Sequence, residues 1–200
     1  MDSSRVAVLR ELLSSTGWVD RTRSFASVLR RSTTTAGGLL LVGTPEAEPW
    51  HLAAHLDDES RYGNIPELSP TLVRWQAPAG APVHLSHTLA RLETARRGET
   101  VFVVAETAAP QGLLERVHDA RQHGATVLAL DGGDAELEGL AHESLTVVQQ
   151  DLVVPELSFD TIQHLVSVAA GESDARHRKG FRDRLARALD VVSGPAPTRR

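Results

Sequence analysis

A chain of 200 residues, 24% charged and 41% hydrophobic, can bury a core as one domain and has the make-up of an ordinary globular protein. A formal charge of -5 supplies no general attraction for nucleic acid or anionic lipid, and the absence of cysteine excludes disulfides, thiolate metal sites and a cysteine nucleophile. Lys179 is the only lysine and lies in a polar tail, which argues against Schiff-base chemistry and a lysine phosphate clamp. No basic-then-apolar segment opens the chain, and no apolar run approaches the ~18 residues of a membrane span, so a cytoplasmic location is expected.

In chain order, Asp2-Ser-Ser4 offers caps for a first helix with Val6, Leu9, Leu12 and Leu13 on one face. Asp20 starts a second, with Phe25, Val28 and Leu29 inward. Gly37-Gly38 breaks the pattern before a first strand over 39–42. A histidine-bearing helix follows, then a loop marked by Gly63, Pro66 and Pro70. The spacing predicts a second strand over 71–75 and a helix from Ser86 to Gly98, with Leu89 and Leu92 inside.

Residues 100–104 read as a continuous apolar strand buried on both faces. Pro110 suits the first turn of a helix carrying Leu113, Leu114, Val117 and Ala120, closed by Gly124. A fourth strand covers 126–130. Asp134 starts a short helix, and a fifth strand covers 145–148. Ser158 caps a last core helix whose stripe is Phe159, Ile162, Leu165, Val166 and Ala169. Strands alternating with helices imply a parallel sheet with right-handed crossovers. From Ser173 onward the chain turns basic and amphipathic, with Phe181, Leu185 and Leu189 on one face, and ends in a disordered Pro-containing tail. This gives an N-terminal helical segment over 1–36, an α/β domain over 37–172 and a basic tail over 173–200.

The most informative stretch is Gly43-Thr-Pro-Glu-Ala-Glu-Pro-Trp-His-Leu-Ala-Ala-His-Leu56. It joins a buried strand to a helix through a turn, the corner at which open α/β sheets build their sites. His51 and His55, four residues apart, project from one helix face and can share a metal. The bland alternative is a partly exposed histidine pair beside Asp57, Asp58 and Glu59. His84, His87, His118 and His123 read as surface residues. Ser86 and Ser158 are explained as caps, and no nucleophile elbow, Walker loop or dinucleotide fingerprint occurs.

This corner, together with Leu89 to Val101, Gly124 to Gly133 and Gly139-Leu-Ala141, resembles the sugar isomerase (SIS) domain family, in particular its sedoheptulose 7-phosphate isomerase branch. The likeness spans roughly residues 20–171. It implies a three-layer α/β sandwich with a five-stranded parallel sheet in flavodoxin-type order. It also implies a homodimer or homotetramer assembled through the N-terminal helices. The metal ligands it implies are His51, His55 in place of a glutamate, and Gln163, with zinc as the metal. The family's last ligand position falls on Gly171, which cannot ligate, and His164 points about 100° away from Gln163 around the helix.

The phosphate cradle departs further from the family. Substrate contacts would come from Gly43, Thr44 and Thr107, but the first loop holds two prolines and two carboxylates where backbone donors are needed. The loop after the third strand, 105–110, keeps Thr107 as its one hydroxyl, beside Glu106. The expected function is therefore a divergent SIS-domain protein without sugar-phosphate isomerase activity, acting by binding, assembly or regulation. The competing expectation is a metal-dependent isomerase or related enzyme with an altered substrate, in which His55 and Glu106 move protons. A protein partner docking on the basic tail is also expected; membrane and nucleic acid are not.

Overall fold

The computed structural model describes residues 17–77, 79–80, 82, 86–148 and 158–172. The first helix on Val6 and the basic helix after Ser173, both expected from sequence, lie outside the described residues.

Five parallel strands form one sheet: β1 (Leu39–Val42), β2 (Pro70–Val73), β3 (Thr100–Ala105), β4 (Thr126–Asp131) and β5 (Glu143–Thr146). Their order is β2-β1-β3-β4-β5. The expected flavodoxin-type arrangement is the observed one. Leu40 pairs with Thr71 on one side and Val101 on the other, and Val103 pairs with Ala129. Every residue of β1 and β3 is buried, as an apolar run between two helical layers must be.

Helices α1 (Trp18–Ser32), α2 (Trp50–Gly63) and α6 (Phe159–Ala170) cover one face. Phe25 and Leu29 of α1, Leu52 and Leu56 of α2, and Ile162 and Leu165 of α6 close over Leu39, Leu41, Phe102 and Leu128. The short α3 (Ala90–Glu93), α4 (Gln111–Gln122) and α5 (Ala135–Leu140) cover the other. There Leu113, Val117 and Ala120 meet Leu40, Val101, Val103 and Val127. Alternation of side chains along each strand divides the two cores.

Several boundaries differ from expectation. Helix α1 begins at Trp18 after Gly17 in the left-handed region, so Asp20 sits inside the first turn. The strands over 71–75 and 145–148 form one to two residues earlier, at Pro70–Val73 and Glu143–Thr146. The helix expected from Ser86 shrinks to Ala90–Glu93, because His87 and Thr88 run extended beside Arg74. Asp134 and Ser158 do cap their helices. The Asp134 carboxylate accepts from the N–H groups of Glu136 and Leu137, and Ser158 with Thr161 forms a capping box. Among the described residues no helix is long and apolar enough to cross a membrane.

Candidate functional site

The loop after β1 folds back over the strand end. Thr44 is 2% exposed, and its carbonyl accepts the Ala47 N–H at 3.2 Å. Its hydroxyl is thus not presented to solvent. Glu48 is the hub of the loop. Its Oε2 accepts the Trp50 indole N–H at 2.9 Å and Arg74 Nε at 3.1 Å, and its Oε1 accepts the Trp75 backbone N–H at 3.2 Å. The Trp75 indole N–H reaches the Gly43 carbonyl at 2.9 Å. Arg74 also lies 4.6 Å from the Trp50 ring centre, a cation–π distance. The sequence suggested two carboxylates repelling an anion here. In the structure Glu48 is neutralised by Arg74, and Glu46 alone stays exposed. Beside this network runs an open groove of about 790 Å³ lined by Glu46, Glu48, Trp50, Arg74, Trp75 and Gln76, among others.

The loop after β3 lies next to the turn that follows β4. Gly132 N–H donates to the Ala105 carbonyl at 3.0 Å, and Ala109 N–H donates to Asp134 Oδ2 at 2.7 Å. A backbone donor that could hold an anion is therefore already spent on an internal carboxylate. Glu106, Thr107, Asp134 and Glu136 line a groove of about 390 Å³ here, and among the described residues no Lys or Arg lines it. Asp131, at the end of β4, accepts the Gly133 and Asp134 N–H groups at 2.8 and 3.3 Å. Burial pushes its carboxyl above the usual range against the pull of those two bonds, and nearby Glu138 adds to the rise. The carboxyl edge of the sheet is thus acidic at two of its loops.

The histidines occupy a separate place, where α2 packs on α6. The ring centres of His51 and His55 are 5.1 Å apart, those of His51 and His164 5.2 Å, and those of His55 and His164 4.2 Å. One ring nitrogen from each lies within 4.8 Å of the other two. His51 is exposed, His55 half-buried and His164 6% exposed. His55 Nε2 is buried and has no hydrogen-bond partner among the described residues. The cavity between the rings is about 10 Å³, room for one water-sized occupant and far too little for a sugar.

Burial holds His164 down to about 4, with His55 and His51 adding to the fall and Asp160 opposing it. His55 is lowered too, by burial first and His51 second, against Asp58. Near neutral pH these two rings are uncharged, the state in which imidazole ligates metals. In metal-free protein the sign of the pH effect follows. Between 6.5 and about 4 the unfolded chain binds a proton at His164 that the folded chain refuses, so stability falls as pH drops through that window. Urea unfolding in the presence of a chelator should show the wild type losing on the order of 1–2 kcal/mol more across the window than His164→Asn does, after allowance for solvent that reaches the cluster. Equal pH profiles would contradict this.

His51, His55 and Gln163, the ligands that the resemblance implies, line one cavity together with His164 and Asp160. Gln163 donates its side-chain N–H to Asp160 at 3.0 Å. Glu106 and Thr107 are exposed in the β3 loop and do not line the histidine cavity, so His55 and Glu106 do not share a cavity. From sequence alone His164 lies off the Gln163 direction. In the structure α6 is buried almost all round, and the His164 direction is the one that meets α2. A histidine inside a helix apolar on most sides was the available signal.

No family model and no curated protein sequence matches the chain. Solved structures do match. One is a candidate sugar binding protein from Salmonella typhimurium LT2, with a TM-score of 0.56 and 13% identity over 92% of this chain. Another is the Vibrio vulnificus NanR protein complexed with ManNAc-6P, with a TM-score of 0.53 and 12% identity over 95% of this chain. The chain spans 52% of the first structure's length and 67% of the second's. At such identities the likeness concerns architecture, and the architecture it establishes is an α/β fold with a five-stranded parallel sheet and helices on both faces.

Proposed function

We propose that this chain is a divergent SIS-type protein that binds a carbohydrate derivative lacking a phosphate, and that it does not isomerise sugar phosphates. The observation that carries the reading is the occupied rim of the sheet. Thr44 is buried, the Ala109 N–H is spent on Asp134, and Arg74, which among the described residues is the one cation lining the first groove, is paired with Glu48. A phosphate seated ~5 Å from Glu106 would meet a repulsion of about 3 kcal/mol per charge pair at an effective dielectric near 20. Asp134 and Glu136 line the same groove. The wider groove instead offers Trp50, 43% exposed, with Gln76 and carboxylate oxygens. That is the mixture of apolar face and hydrogen-bonding groups that suits a neutral sugar ring. The two structural neighbours, one named for sugar binding and one holding a sugar phosphate, support a carbohydrate ligand.

A thermal-shift screen of phosphorylated and unphosphorylated sugars tests the reading, since a ligand of the native state raises its stability. An unphosphorylated or cationic sugar derivative is expected to raise the melting temperature, and sedoheptulose 7-phosphate to leave it unchanged. Stabilisation by the phosphate would reverse the assignment. Self-association as a homodimer or homotetramer belongs to the same reading and is measured by sedimentation equilibrium; a monomer would remove it.

A further inference from the structure

Three imidazoles from two helices converge where hydrophobic packing alone would place apolar side chains. His51 and His55 come from consecutive turns of α2, and His164 arrives from α6 on the opposite wall. Such a convergence is costly to leave unused. A buried ring nitrogen without a partner loses its hydration and gains nothing in return, and His55 Nε2 is in that position among the described residues.

Neither neighbouring polar group relieves it. Gln163 and Asp160 line the same cavity, but they are bonded to one another. The cavity is of single-ion or single-water size. Around a tetrahedral zinc ion with ligands at ~2.1 Å, donor atoms sit roughly 3.4 Å apart. The three nitrogens already lie within 4.8 Å of one another, so closure asks only for small side-chain adjustments.

The geometry points to His51, His55 and His164 as a three-histidine site for a divalent transition metal, zinc foremost. The third ligand is His164 and not Gln163, the residue that the resemblance to the isomerase branch implies. Nitrogen donors alone favour zinc, cobalt, nickel or copper over magnesium and calcium, which take oxygen ligands. Three protein ligands are also the number that zinc sites with an exchangeable position use. Bound there, the ion would supply Lewis-acid chemistry. It would also tie α2 to α6, two of the three helices that close the core over β1 and β3.

The test uses the full chain, freed of metal with a chelator and titrated with zinc or cobalt(II). One equivalent should bind, cobalt should give visible ligand-field bands of a low-coordinate nitrogen site, and the melting temperature should rise with metal concentration. His51→Ala changes an exposed residue and keeps the packing, and His164→Ala tests the new ligand. Each should weaken zinc at least about tenfold, the lower end of what losing even an outer partner costs. Gln163→Ala should stay within about threefold of the wild type. If His164→Ala misfolds, His51→Ala with Gln163→Ala still separates the two ligand sets. Substoichiometric metal in the wild type overturns the assignment, and so does a loss in Gln163→Ala as large as that in His51→Ala. The outcome is independent of the carbohydrate reading, because metal content and cobalt spectra are read without any sugar.

Discussion

Glu48→Ala is expected to lower stability by about 2–3 kcal/mol, well above the loss from an ordinary surface change. One carboxylate, 14% exposed, accepts from Arg74, from the Trp50 indole and from the Trp75 backbone. Its removal leaves a guanidinium only 17% exposed without its acid, and two N–H groups without an acceptor. Bonds to charged groups are worth roughly 1.5–3 kcal/mol each where they are buried, and the residual exposure of this pair discounts the sum. Glu48→Gln keeps an acceptor and should cost about half as much. The double variant Glu48→Ala/Arg74→Leu should recover part of the loss, since removing both partners costs less than stranding one. Urea unfolding followed by tryptophan emission reads these three and the single Arg74→Leu change, because Trp50 and Trp75 belong to the network. Additive effects of the two single changes would show that the pair is not coupled.

Gly43→Ala is the second large effect, and it acts through shape alone. A Cβ at Gly43 would collide with the Ala47 carbonyl oxygen and lie 2.7 Å from Pro49 Cδ. Both obstacles belong to a backbone stiffened by Pro45 and Pro49, so neither can swing aside as a flexible side chain would. Overpacking of this kind costs about 1–3 kcal/mol, with the upper end expected here. Gly139→Ala is the control, because nothing lies within 4 Å of the added atom and the residue is inside α5. It should stabilise by a few tenths to about 1 kcal/mol through helix propensity. No loss in Gly43→Ala would show that the first loop yields to the added atom and contradict this.

These two positions also show why the sequence was legible in parts. Leu39–Val42, Thr100–Ala105 and Thr126–Asp131 read directly as strands, because a run buried on both faces needs no alternation and tolerates little else. The edge strands did not. Pro70, Thr71, Glu143 and Ser144 are only half-buried, so they carry little hydrophobic signal, and both strands start one to two residues before the apolar pattern does. Trp75 looked like the end of β2, yet its indole is spent on the Gly43 carbonyl. Glu48 looked like a repulsive charge at a ligand site, yet its partner Arg74 lies 26 positions away. Pairing across such distances leaves no local trace in a single sequence. The histidine cluster was half legible. The spacing of His51 and His55 fixes their shared face, but His164 joins them only once the packing of α6 on α2 is known.

The most direct test of the phosphate-free ligand reading is calorimetric titration of sedoheptulose 7-phosphate into the wild type and into Glu46→Ser/Glu106→Ser, a variant that replaces two exposed loop carboxylates with hydroxyls. The expected result is no saturable heat with the wild type and a gain of measurable binding in the variant. Saturable binding of the phosphate to the wild type, weakened or unchanged in the variant, would contradict the account.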